Sequence, residues 1–289
     1  MESRILSLAA QDWRDPGFDE RWVAAVEDGK VLHFPQLAFA LSDEEQALLT
    51  PALLEPGVRN ISLDAQRRLK GVAGDETVRA CATNLIARFS ANATDLVNGL
   101  FPAYRDHLRP GLVSLRPVQV AGRQQSWRAD DTRLHVDAFP SRPNHGERIL
   151  RVFANVNPAG EPRVWRVGEA FGEVAKRFLP GARRYSPAHA RLLRALRVTK
   201  SLRTEYDHLM LQLHDRMKAD THYQREAPQE TFAFAPGSAW VCFSDQTVHA
   251  AMSGQHMLEQ TFHLPVQRQY NREASPLAIL TRLRGRPLV

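Results

Sequence analysis

Residues 127–168 read WRADDTRLHVDAFPSRPNHGERILRVFANVNPAGEPRVWRVG, and their short apolar segments are separated by Pro, Gly and Asn. Turn signals at that spacing suggest antiparallel strands of a sandwich or barrel rather than helices. The preceding LVSLRPVQV (112–120) has the same character. It returns in ETFAFAPGSAWVCFSDQTVHAA (230–251) and LEQTFHLPVQ (258–267). We therefore expect a β core drawn from 111–171 and 229–270.

Outward from that core the period changes. Between 172 and 228, Tyr206, Leu209, Met210, Leu213 and Met217 form an i, i+3, i+4, i+7 stripe, which predicts a helical insert. Arginines at 183, 184, 191, 194, 197 and 203 make it basic. Residues 1–110 form a mixed region. GKVLHFPQLAF (29–39) suits a strand, and Ser42 with Glu45 reads as a helix-capping box. Val78, Cys81, Ala82, Leu85, Ile86 and Phe89 then predict an amphipathic helix within 75–104. Residues 280–289 read as a basic tail without assigned order.

The 289 residues suffice to bury a sizeable core, and 43% hydrophobic with 8% aromatic content argues against disorder. Cys81 and Cys242 form no CxxC pair, so neither a disulfide framework nor a thiolate zinc site is indicated, and a reducing cytoplasm fits. The opening MESRILSLAAQDWRDPGF lacks the pattern of a secretion signal, and no run approaches the ~18 apolar residues of a membrane span. A net charge of +6 favours an anionic partner. No nucleic-acid-binding motif accompanies that charge, so nucleic acid is not the expected one.

Side chains on a strand alternate faces, so His135 and Asp137 of LHVDAF project to one side. A third ligand has to come from another strand. His249, read as the end of the strand AWVCFSDQTVH, lies 112 residues after Asp137 and completes a two-histidine, one-carboxylate face. Such a set suits Fe(II) because it leaves coordination positions open for a bidentate 2-oxo acid and for O2. Asp245 reads as a strand end rather than a ligand-orienting group. His33, His107, His145, His189, His208, His214 and His222 read as surface or packing residues.

Use of 2-oxoglutarate also requires a cation for its distal carboxylate. GQHMLEQTFHL (254–264), the stretch after the late histidine, contains no Arg or Lys. Arg148 and Arg151 of ERILRVF are the nearest candidates, and alternation lets at most one face inward without a bulge. Arg151 is preferred, with Arg163, Arg166 and His256 in reserve.

The strings LHVDAFPSRPNHGERILRVFANVNPAGEPRVWRVGE and FAPGSAWVCFSDQTVHAAMSGQ resemble the Kdo hydroxylase family, and GKVLHFPQLAFALSDEEQALL is similar as well. The resemblance spans nearly the whole chain. It implies a bacterial dioxygenase dependent on Fe(II), 2-oxoglutarate and O2, acting at the 3-position of 3-deoxy-D-manno-oct-2-ulosonic acid (Kdo) on lipid A. It places the metal ligands on His135, Asp137 and His249, and turnover as oxidative decarboxylation to succinate. The expected fold is α+β: one catalytic domain with a double-stranded β-helix (jelly-roll, cupin-like) core, N-terminal helices and an insert at 172–228. The expected partner is Kdo-bearing lipid A, met peripherally at the cytoplasmic face of the inner membrane. Nothing in the sequence sets the oligomeric state.

Kdo carries a carboxylate and lipid A carries phosphates, so the arginines at 183–203 could hold a headgroup; a solvated helix face explains them equally well. Other readings also stay open. The same iron chemistry could serve another substrate, the fold could be a cupin-like metal or sugar sensor without turnover, or the charge could serve nucleic acid.

Overall fold

The structure, a computed structural model, describes residues 2–289. In chain order its elements are β1 (Ile5–Ser7), α1 (Glu20–Glu27), β2 (Val31–Phe34), α2 (Asp43–Gln46), β3 (Ile61–Leu63), β4 (Leu69–Lys70) and α3 (Glu76–Leu100). There follow β5 (Arg109–Arg116), β6 (Arg148–Asn155) and β7 (Arg163–Gly168), then the helices α4 (Phe171–Phe178), α5 (Pro187–Ala195), α6 (Glu205–Ala219) and α7 (Thr221–Glu226). The chain ends with β8 (Gln229–Phe234), β9 (Ala239–Phe243), β10 (His249–Ser253), β11 (Met257–Leu264) and α8 (Pro276–Arg284).

The strands form an eight-stranded sheet, β1-β2-β9-β6-β11-β5-β3-β4, and a three-stranded sheet, β10-β7-β8. From β5 to β11 the chain passes repeatedly between the sheets, which makes the double-stranded β-helix. Phe153 and Trp240 of the large sheet meet Trp165 and Phe234 of the small one, filling the space between. Helix α3 covers the outer face of the large sheet. Asp75 caps it by accepting from the Val78 N–H at 2.9 Å, and Leu85, Ile86, Phe89, Leu96 and Val97 recur at helical spacing on its buried side. The 172–228 insert lies as expected between β7 and β8, with its Tyr206–Met217 stripe buried alongside Phe171, Val174 and Leu280.

Several expectations are revised. The mixed region before residue 110 contributes the strand expected within 29–39 and three more, since β1 to β4 all join the large sheet. The capping box at Ser42 forms, with the Ser42 and Glu45 side chains each bonding the other's backbone, but it opens a single turn of helix. Residues 280–289 are no loose tail: α8 is capped by Ser275, whose hydroxyl accepts from Ala278 N–H at 3.1 Å, and buries Leu280.

The strand expected around HVD is reduced to one antiparallel bridge, His135 opposite His249. The reason lies in the insert. The Gln224 amide takes both backbone groups of Leu134, accepting from its N–H at 2.7 Å and donating to its carbonyl at 3.0 Å, in place of a neighbouring strand. Likewise His249 begins β10 rather than ending the preceding strand. Strand β9 stops at Phe243, whose carbonyl accepts from the N–H groups of Gln246 and Thr247 in the turn between them.

Candidate active site

The reciprocal backbone bonds of that bridge, His135 N–H to His249 O at 3.0 Å and His249 N–H to His135 O at 2.9 Å, set the histidines side by side. Asp137 is fixed two residues on, its N–H donating to Ser244 O at 2.8 Å. One ligand atom from each of His135, Asp137 and His249 lies within 4.8 Å of the others; this is the only such group among the described residues. His135 Nε2 stands 3.9 Å from Asp137 Oδ1.

Each imidazole is oriented by its own chain. His135 Nδ1 donates to Arg133 O at 2.7 Å and His249 Nδ1 to Thr247 O at 2.8 Å, given the tautomer those carbonyls require. Both Nε2 lone pairs are thereby free for a metal. Trp165 stacks on His249 with centroids 5.0 Å apart, and His214 of α6 meets His135 edge-on at 5.5 Å. Burial, reinforced at His135 by His249 and Lys218, holds both imidazoles below their usual range and therefore neutral. Burial alone would raise the Asp137 carboxyl. The Arg151 guanidinium leads the contributions that outweigh it and keep the group ionised. Two buried neutral imidazoles and one half-buried carboxylate are the donor set that a divalent iron with open positions requires.

Strand alternation decides between the two arginines of ERILRVF. Arg151 points into the barrel, its Nη2 3.1 Å from Asp137 Oδ2 and its Nη1 2.7 Å from Glu259 Oε1. Glu259 also pairs with Arg116 at 2.8 Å, so a chain of alternating charges runs inward from β5 to Asp137. Arg148 points the other way. It lies over the Phe243 ring at 3.9 Å and binds Asp245 at 2.8 Å and Gln246 at 2.6 Å, with neither partner of the ion pair exposed. Arg148 is thus spent on the turn before β10, and Asp245, expected only to end a strand, is its partner. Arg148→Gln would leave Asp245 charged and unpaired in full burial. We expect it to lower the unfolding free energy by about 3–5 kcal/mol, read from the urea midpoint; an unchanged midpoint would contradict this account.

Arg163 shares the inward face of β7 with Trp165. Its Nη1 donates to Gly254 O at 2.8 Å, and its Nε has no hydrogen-bond partner among the described residues. Gly254 has φ +109°, and a Cβ there would come within 2.8 Å of Arg163 Cα and Cδ, so only glycine lets the two backbones approach this closely. Burial, followed by the charges of Arg116 and Arg123 and only partly offset by Asp131 and Glu259, draws the Arg163 guanidinium down to about 9. Arg166, on the opposite face, donates to the Thr132 and Gln224 carbonyls. His256 occupies the turn between β10 and β11, with φ +57°.

Beyond Arg151 a cavity of about 570 Å³ opens, into which Arg59, Arg109, Arg116 and Arg142 also project, with Phe139 on its wall. The sequence reading singled out neither Arg116 nor Glu259. The signal for Glu259 was a carboxylate in the apolar run MLEQTFHL, which has to find a cation if that run is buried.

A model of the 3-deoxy-D-manno-oct-2-ulosonic acid (Kdo) hydroxylase family matches residues 10–287. The chain is similar to the Kdo hydroxylase KdoO, a non-heme Fe(II) alphaketoglutarate-dependent dioxygenase, at 42% identity. The crystal structure of KdoO with alphaketoglutarate and Fe(III) gives a TM-score of 0.94, covering 99% of this chain and 97% of that one. Its cobalt(II) complex, also 42% identical, gives 0.95 with 99% and 98% covered. No curated protein matches the sequence. The family match over nearly the full length and this structural similarity agree with the resemblance read from the sequence, and the chain belongs to the Kdo hydroxylase family.

Proposed function

We propose that this protein hydroxylates the 3-position of Kdo on lipid A, using O2 and 2-oxoglutarate at an Fe(II) held by His135, Asp137 and His249. The observation that carries this reading is the His-Asp-His cluster, its histidines buried, which Arg151 joins to an arginine-lined cavity, in a member of this family. Bound at three such ligands, iron supplies the activation of O2 coupled to decarboxylation of 2-oxoglutarate to succinate.

The chain's own residues supply position and charge. Arg151 holds Asp137 by Oδ2, leaving Oδ1 on the side of His135 Nε2. The Nδ1–H bonds of the histidines fix their rings. Of the four arginines the sequence nominated for the distal carboxylate of 2-oxoglutarate, Arg148 is engaged by Asp245, Arg151 by two carboxylates, and Arg166 lies on the opposite face of β7 against the Thr132 and Gln224 carbonyls. Arg163 is the one lacking an anion, so we assign that role to it, with Arg116 beside it. The remaining arginines of the cavity suit an acidic sugar carrying nearby phosphates.

Iron-loaded protein supplied with 2-oxoglutarate and a Kdo-bearing lipid A precursor should release succinate in step with a product heavier by one oxygen, placed at C3 by fragmentation. Succinate formed without dependence on that lipid would sink the substrate assignment. No succinate under any condition would sink the iron chemistry.

A further inference from the structure

Between Glu173 and Glu205 the chain contains no acidic residue, while Lys176, Arg177, Arg183, Arg184, Arg191, Arg194, Arg197, Lys200 and Arg203 all fall there. Arg183, Arg184, Arg191, Arg194, Arg197 and Lys200 make no salt bridge to any described residue. Charge alone would describe a solvated face. The apolar residues say otherwise: Leu192 is 57% exposed, Leu196 65%, Val198 53% and Leu202 48%, so α5 and the turn after it hold up large aliphatic side chains among the arginines. Leu192 and Leu196 stand one helical turn apart, on one side.

This segment is tied to the mouth of the candidate site. Lys200 N–H donates to Ser141 O at 2.9 Å and an Arg203 Nη to Pro140 O at 2.7 Å, both in the loop that follows Asp137. Lys200 and Arg142 line one groove, and Arg142 continues into the cavity that reaches Arg151.

We propose that α5 and the turn through Leu202 form a membrane-docking element, which sets Leu192, Leu196, Val198 and Leu202 into the interface of an anionic phospholipid bilayer while the surrounding arginines meet its headgroups. Exposed leucines interleaved with cations fit a lipid interface, where apolar area and charge contribute together; a nucleic acid would use the charge and leave the leucines in water. The surface is argued independently of the function. Its value to catalysis, presenting the cavity to a lipid-borne sugar, rests on the reading given above.

The test is co-sedimentation of the whole protein with vesicles of phosphatidylglycerol and phosphatidylethanolamine, against vesicles of phosphatidylcholine alone. Neither contains Kdo, so the result is independent of the hydroxylation assay. We expect binding to the anionic vesicles only. Leu192→Ser with Leu196→Ser should weaken it roughly tenfold, and each of Arg191→Gln and Arg194→Gln about fivefold. Phe18→Ser, an exposed aromatic elsewhere, should leave it unchanged. All five positions are exposed, so circular dichroism should match wild type. Equal binding to both vesicle types, no binding, or a leucine variant that binds as wild type would overturn the proposal. So would wild-type affinity of the leucine variant for duplex DNA exceeding that for the vesicles. If docking holds, the leucine variant keeps its turnover on a water-soluble Kdo fragment and loses it on vesicle-embedded substrate.

Discussion

Asp137→Ala is expected to abolish stoichiometric iron binding and to lower succinate formation on the order of a thousandfold or more, since loss of the metal forfeits several kcal/mol of stabilisation. Loss of an outer partner of a ligand costs only about 10- to 100-fold, so the size of the effect separates a ligand from a residue that merely touches one. The fold should survive the change. Arg151 keeps Glu259 at 2.7 Å, and the bridge between His135 and His249 is made by backbone. Metal content by elemental analysis is the direct readout, with thermal unfolding as control. His208→Ala and His222→Ala, histidines outside the cluster, should retain iron and turnover. Wild-type iron content in Asp137→Ala would remove this carboxylate from the centre.

Arg163→Gln should raise the KM for 2-oxoglutarate about 10- to 100-fold, the equivalent of one charged hydrogen bond of about 1.5–3 kcal/mol, with a much smaller change in kcat. Stability should hold, because the substitution takes away a buried cation that already faces Arg116 and Arg123. Arg163→Lys should recover part of the affinity, as it keeps the charge without the planar fork. Arg148→Gln, measured under conditions where it remains folded, should leave KM where it was. The decisive comparison is Arg151→Gln. If that variant carries the KM effect and Arg163→Gln does not, the distal carboxylate binds at Arg151 and the charge argument fails.

Much of the candidate metal centre was legible because it depends on a local rule. Two residues apart on extended backbone share a face whatever the rest of the chain does, so HVD alone sets a histidine beside a carboxylate. The same rule excluded Arg148 and Arg151 from facing inward together. The burial of the 206–217 stripe and of α3 was likewise written in their spacing. The strand boundaries were harder to read. LHVDAF has the composition of a strand, yet its pairing partner on one side is the Gln224 side chain, 90 residues further on.

The sequence by itself therefore determined the β core, the insert at 172–228, the His135–Asp137 pair and the nomination of His249, since period and turn chemistry act over a few residues. Only the tertiary structure decided which arginine is left for an anion. That choice turns on which carboxylates folding brings to each, Asp245 for Arg148 and Asp137 with Glu259 for Arg151. Side-chain alternation is fixed by the local backbone, whereas charge pairing is fixed by which segments folding brings together, Asp245 lying 97 residues from Arg148 and Glu259 108 from Arg151, which no local pattern specifies.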